Sequence, residues 1–136
     1  MIEQTQAIDL MESARKATEQ SYAPYSKFPV GAALLSSDGR VFTGCNVENA
    51  SYPLSVCAER VAIGVAVASG CTEIVAVAVS APLVASVTPC GGCRQVLNEF
   101  KPVAADMDVV LEGDNDIEIV PLSSLLPRSF GPSDLE

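Results

Sequence analysis

Cys57-Ala58-Glu59 is followed by Pro89-Cys90-Gly91-Gly92-Cys93, with Cys90 33 positions after Cys57. No other feature of the chain constrains its fold as strongly, because three thiols far apart in sequence have to meet at one point. The chain contains no histidine, so a zinc centre here must be built from Cys, Asp or Glu. Three thiolates leave the fourth tetrahedral position open, as in a catalytic rather than a structural zinc site. Cys57, Cys90 and Cys93 are therefore the candidate ligands, with one Zn²⁺ per chain. Glu59 is left free to move protons. A lone C-x-x-C is often a structural zinc site or a redox pair, but the upstream Cys-x-Glu and Pro89 favour a catalytic centre. Cys45 and Cys71 have no partner at ligand spacing and read as packing residues.

The rest of the pattern supplies elements to carry these residues. Ile8, Leu10, Met11, Ala14 and Ala17 recur at helical spacing, predicting a helix over residues 6–20. Val30–Leu35 and Val41–Asn46 read as strands joined by Ser37-Asp38-Gly39-Arg40, which has hairpin-turn chemistry. Residues 48–55 read as irregular. Residues 57–69 are apolar enough for a buried strand or a buried helix. Their length, the Cys-Ala-Glu-Arg start and Gly70 as a C′ residue favour the helix. Ile74–Ser80 reads as a buried strand. Thr88 can N-cap a helix that begins at Pro89 and runs to Phe100. Asp108–Leu111 and Ile117–Val120 are further strands, Ser123–Leu126 a short helix, and residues 131–136 lack a pattern. One domain over residues 1–136 is expected, with a mixed five-stranded sheet inside a three-layer α/β/α sandwich.

On this reading Cys57 and Cys90 lie near helix starts, where backbone N–H groups favour thiolates. Cys90 and Cys93 lie one turn apart. Cys57 and Glu59 are two apart, so Cys57 must sit at the very start of its helix for both to reach one metal. Three thiolates and Zn²⁺ sum to a net −1, a poor Lewis acid. Arg60 and Arg94 directly follow the two motifs and are candidates to donate hydrogen bonds to the ligand sulfurs.

Composition narrows the partners. Seventeen acidic and eight basic residues give a net charge of −9, which repels phosphate backbones, so nucleic acid is not an expected partner. The apolar stretch 61–87 is split by Ser69-Gly70-Cys71-Thr72-Glu73 into pieces too short for a bilayer. The first residues lack a basic and apolar leader pattern. A cytoplasmic protein with no membrane partner is expected. Its apolar fraction, 49% against 18% charged, suggests surface hidden against other subunits.

Cys57-Ala58-Glu59-Arg60 with Pro89-Cys90-Gly91-Gly92-Cys93-Arg94-Gln95 resembles the zinc-dependent cytidine deaminases, in particular their small homotetrameric branch with a Cys first ligand. Residues 22–33, the segment Gly44 to Tyr52, and Leu125-Leu126-Pro127 with Phe130 resemble further motifs of that family in the same order. The resemblance implies that Asn46 and Glu48 hold the ribose hydroxyls and that Phe28 flanks the pyrimidine. It also implies that Tyr52 and Phe130 reach into a neighbouring subunit's site. The Ala58 N–H, near a helix start, is a donor for the pyrimidine carbonyl. The implied reaction is hydrolytic deamination of cytidine and 2′-deoxycytidine in pyrimidine salvage. Water activated by zinc attacks C4 while Glu59 shuttles protons, the scheme general to zinc nucleobase deaminases. Rival readings are a deaminase of another cytosine nucleoside, such as a blasticidin-like antibiotic, a polynucleotide cytosine deaminase, and a non-catalytic zinc-binding module.

Overall fold

The computed structural model describes residues 1–136. Helix α1 (Gln4–Ala17) is capped by Glu3, whose N–H donates to the Gln6 side chain at 3.1 Å. It ends three residues before the predicted limit, because Thr18–Gln20 tighten into a 3₁₀ turn. The strands are β1 (Gly31–Ser36), β2 (Val41–Cys45), β3 (Ile74–Ser80), β4 (Asp108–Glu112) and β5 (Ile117–Pro121). The helices between and after them are α2 (Ala58–Ala68), α3 (Gly91–Glu99) and α4 (Leu122–Leu125). Gly39, at φ +89°, turns the β1–β2 hairpin, a backbone conformation that favours glycine.

The five strands form one sheet in the order β2-β1-β3-β4-β5. β1 runs antiparallel to β2 and β3, β3 parallel to β4, and β4 antiparallel to β5. A parallel pair needs a crossover, and α3 supplies it. Strand alternation then sorts the core into two layers. Ala33, Ala76, Ala78 and Val110 face α1, where Ala7, Leu10, Met11 and Ala14 cover them. Leu34, Val77, Val79 and Val109 face the other way, onto Ala62 and Ala66 of α2 and Leu97 of α3. The result is the expected three-layer sandwich around a mixed sheet.

The apolar run at 61–68 is a helix with two different apolar faces. Ala62, Ile63 and Ala66 are buried, whereas Val65 and Val67 remain 42% and 43% exposed. Gly70, at φ +86°, follows its last turn. Gly44 sets how closely α2 lies on β2. A Cβ there would come 2.5 Å from the Ala62 nitrogen and 2.7 Å from the Ala58 carbonyl oxygen. No helix is long and apolar enough to cross a membrane.

Candidate active site

Both motifs place a cysteine at a helix N-cap. Cys57 caps α2 with extended backbone (ψ 153°), and Cys90 caps α3 in the same way (ψ 166°). Each N-cap carbonyl accepts the first helical bond, from Val61 N–H at 3.0 Å and from Arg94 N–H at 2.9 Å. An N-cap side chain points at the N–H groups of the following turn, so Cys90 converges naturally on Cys93 at the third helical position. This corrects the predicted start of α3. Thr88 does not cap the helix, because its hydroxyl accepts a hydrogen bond from Arg94 Nη2 at 2.9 Å, and Pro89 stays outside the first turn.

The three sulfurs lie within 4.8 Å of one another, with Cys57 and Cys90 3.9 Å apart. Zn–S bonds of about 2.3 Å in tetrahedral array require sulfurs about 3.8 Å apart, so the cluster fits a zinc ion. All five cysteines are free thiols. Without a cation the cluster is electrostatically frustrated. Burial pushes the Cys57 thiol up, and burial together with the Glu59 carboxylate pushes Cys93 further above the usual range. Only Cys90 is held below its ordinary value. Burial opposes its ionisation too, but hydrogen bonds from the Cys93 N–H and from the neighbouring thiols outweigh it. The expectation that both helix starts favour thiolates is therefore met at Cys90 and reversed at Cys57. A dication in the centre supplies the compensation that helix ends alone do not.

Glu59, in the first turn of α2, is 4% exposed. Burial raises its carboxyl above the ordinary 4.5, against hydrogen bonds from its own N–H and the Cys93 thiol. A proton shuttle works best with its pKa displaced toward the working pH. Glu59, Cys57 and Cys90 face a cavity of about 170 Å³. Val30, Val79 and Val87 form its apolar walls, and Asn46 and Thr88 its polar edge.

The loop after β2 brings Asn46 to this cavity. Val47 pairs with Val56 (2.9 and 2.8 Å), immediately before Cys57, while Tyr22 bonds Asn46 and Glu48 across the other side (3.0 and 2.9 Å). Asn46 Oδ1 accepts from Val30 N–H at 2.9 Å and from the Ser21 hydroxyl, and Nδ2 donates to the Phe28 carbonyl at 2.8 Å. One N–H of its amide stays free for a ligand. Glu48 lines a second cavity, of about 230 Å³, with Tyr25, Ser26, Tyr52 and Ser55. Its carboxylate accepts from the Tyr25 and Ser26 N–H groups (3.0 and 3.1 Å) and from the Ser26 hydroxyl. These bonds, Ser26 first, hold it below the usual carboxylate range.

Other expected residues do not gather at the cavity within one chain. Phe28 is half-buried outside it. Tyr52 is 69% exposed and packs on Tyr25, ring centroids 5.8 Å apart, and Phe130 is 58% exposed. Neither arginine donates to a sulfur. Arg94 spends its guanidinium on Pro89 O (2.7 Å), Leu125 O (2.8 Å) and Thr88 Oγ1, and Arg60 is exposed with no hydrogen bond within the chain. Sequence reasoning missed the valine walls and Thr88, although Val87-Thr88 directly precede Pro89-Cys90. A larger groove, about 690 Å³, lies apart, between Arg15 of α1 and the β4–β5 turn, where Glu112 pairs with Arg15.

Residues 4–107 match the family described as the cytidine and deoxycytidylate deaminase zinc-binding region. The chain is 47% identical over 127 residues to the cytidine deaminase of Sporosarcina psychrophila, covering 93% of this chain and 92% of the relative. It is 40% identical over 126 residues to that of Mycobacterium tuberculosis, covering 93% and 90%. The solved structure of a cytidine deaminase from Burkholderia pseudomallei superposes with a TM-score of 0.83 at 45% identity, covering 90% of this chain and 98% of that one. With three thiols converged at two helix starts and a buried glutamate beside them, the chain belongs to the zinc-dependent cytidine deaminase family.

Proposed function

We propose that the chain hydrolyses cytidine and 2′-deoxycytidine to uridine and 2′-deoxyuridine with release of ammonia, in pyrimidine salvage. The observation that carries this reading is a buried Glu59 carboxyl beside three converged sulfurs at the wall of an apolar, ring-sized cavity. Cys57, Cys90 and Cys93 would hold a zinc ion, which would supply the Lewis acidity that makes a water nucleophilic near neutral pH. Glu59 takes a proton from the attacking water and delivers it to ring N3. After attack at C4, Glu59 takes the remaining proton from the new C4 hydroxyl and passes it to the amino group, which leaves as ammonia while the C4 carbonyl forms. The Ala58 N–H has no intrahelical acceptor at the first position of α2, so it is free to donate to the pyrimidine carbonyl. The valine walls exclude bulk water. A purely structural zinc module leaves the buried Glu59 without a role.

Asn46, through its free N–H, and Glu48, as an ionised acceptor, bind the ribose hydroxyls. The net charge of −9 opposes a 5′-phosphate or a polynucleotide. About 170 Å³ is below the about 300–1,000 Å³ of whole-ligand pockets, which supports a site completed by other subunits. Val61, Gly64, Val65 and Ala68 form an outward apolar face on α2, with Gly64, Val65 and Ala68 exposed. That face suits assembly, and the reading is a homotetramer in which Tyr52 and Phe130 enter a neighbour's site. Phe28 flanks the base. Arg60 sits in the first turn of α2, where the helix dipole disfavours a cation, so its charge is best used against the net −1 metal centre. Free thiol ligands suit a reducing cytoplasm.

Incubation with cytidine, deoxycytidine, deoxycytidine monophosphate and a cytosine oligonucleotide, following loss of cytosine absorbance, tests the reading. Turnover confined to the free nucleosides supports it; no turnover of either nucleoside defeats it.

A further inference from the structure

Helix α3, which carries Cys90 and Cys93, also grips the C-terminal segment by its backbone. Arg94 Nη1 donates to Leu125 O at 2.8 Å. Gln95 Nε2 and Asn98 Nδ2 both donate to the carbonyl of Phe130, at 2.9 and 3.1 Å. Two amide donors occupy both lone pairs of that one carbonyl. Gly131 permits the approach, since a Cβ there would lie 2.7 Å from Asn98 Nδ2. Beyond it, the Gly131 N–H is held by Asp134 at 2.7 Å. The Phe130–Gly131 peptide group is thus held through both its carbonyl and its N–H, while the Phe130 ring stays 58% exposed. A residue used for core packing has the opposite arrangement, with the ring buried. Gln95 is itself exposed, so its ordered amide does little for the core and costs side-chain entropy.

We propose that Gln95 and Asn98 are positioning residues for substrate binding, fixing the Phe130 backbone so that its ring is presented to the substrate in an adjoining subunit's site. This rests on the reading of Phe130 given above. Neither amide touches substrate. They tie the aromatic contact to the same helix that bears two metal ligands, so ring and metal keep a set separation.

Steady-state kinetics of the full-length assembled enzyme with cytidine test this. Gln95→Glu removes the donor at nearly constant shape, and being exposed it does not threaten folding. It is expected to raise KM about fivefold, the worth of one net hydrogen bond, with kcat and melting temperature unchanged. Loss of binding alone appears in KM and not in kcat. Gln95→Lys, which can still donate, is expected to restore KM. Phe130→Ala is expected to raise KM about tenfold, and Gln95→Glu should add nothing in that background, since both act through one contact. An undiminished effect of Gln95→Glu on top of Phe130→Ala overturns the proposal. So does a fall in kcat at constant KM, or an unchanged KM where Phe130→Ala alone raises it. If Phe130→Ala itself leaves KM unchanged, the reading of Phe130 as a substrate contact fails first, and the positioning role fails with it.

Discussion

Gly44→Ala adds one methyl group at the backbone contact that supports the proposed site without lining its cavity, and its consequences can be worked out from the backbone alone. The new Cβ would stand 2.5 Å from the Ala62 nitrogen, 2.7 Å from the Ala58 oxygen and 3.1 Å from the Ala62 Cα. All three neighbours are backbone atoms, so no side chain can rotate away. Restoring an ordinary contact of about 3.5 Å requires β2 and α2 to part by about 1 Å. Overpacking of this kind costs about 1–3 kcal/mol, or about 4–12 °C in melting temperature for a chain of this size. The functional effect is expected to be larger in proportion. Cys57, Ala58 and Glu59 ride on the first turn of α2, and Asn46 follows directly on β2. A misplacement of about 1 Å in such a site costs about 10²-fold in rate. Differential scanning fluorimetry, zinc content per chain and kcat/KM for cytidine measure the three consequences separately. A Gly44→Ala protein with unchanged kcat/KM and full zinc would show that the β2–α2 contact does not set the geometry of the site.

The two arginines are expected to part company. Arg94→Ala deletes bonds to Pro89 O, Leu125 O and Thr88 Oγ1, at a cost of about 1.5–3 kcal/mol for each charged bond left unreplaced; it should lower both melting temperature and zinc content. Arg60→Ala should leave both intact and reduce turnover only. In chelator-treated protein, iodoacetamide with peptide mapping should find Cys90 alkylated first, because it is exposed and its thiol is held down, and Cys93 last. The raised Glu59 carboxyl sets a pH dependence for the zinc-free fold. Its folded pKa lies above 4.5, so the protonated form is the one the fold prefers, and stability is lost as pH rises from 4.5 through the folded value. Zinc-free Glu59→Gln should therefore be more stable than the zinc-free parent at neutral pH, with the advantage gone in acid, as read by urea titrations at both pH values.

Much of this fold was legible because its signals are local. The Val-rich run at 74–80 and the Asp38-Gly39 turn specify their elements without help from distant residues. The motif spacing required Cys57 at a helix start, and that is its position. The misses share a cause, which is that a distant partner decides them. Thr88 has the chemistry of a cap, but Arg94 claims its hydroxyl, and the helix starts later. The tail after Phe130 has no side-chain pattern because it is held through backbone carbonyls and N–H groups, which every sequence possesses. The valines that wall the cavity read as ordinary strand and loop residues in the sequence, and only the fold brings Val30, Val79 and Val87 together at the cavity of Glu59. Phe28, Tyr52 and Phe130 stay apart within one chain, and a single sequence does not encode where a second copy will sit.

The central claim is that Glu59 moves protons at a centre formed by Cys57, Cys90 and Cys93. Glu59→Gln keeps the shape of the side chain and removes its ability to carry a proton. Metal analysis and cytidine turnover on the same purified sample test the claim directly. One zinc per chain, with turnover reduced by about 10²-fold or more, is the expected result. Full zinc with near-normal turnover would contradict it.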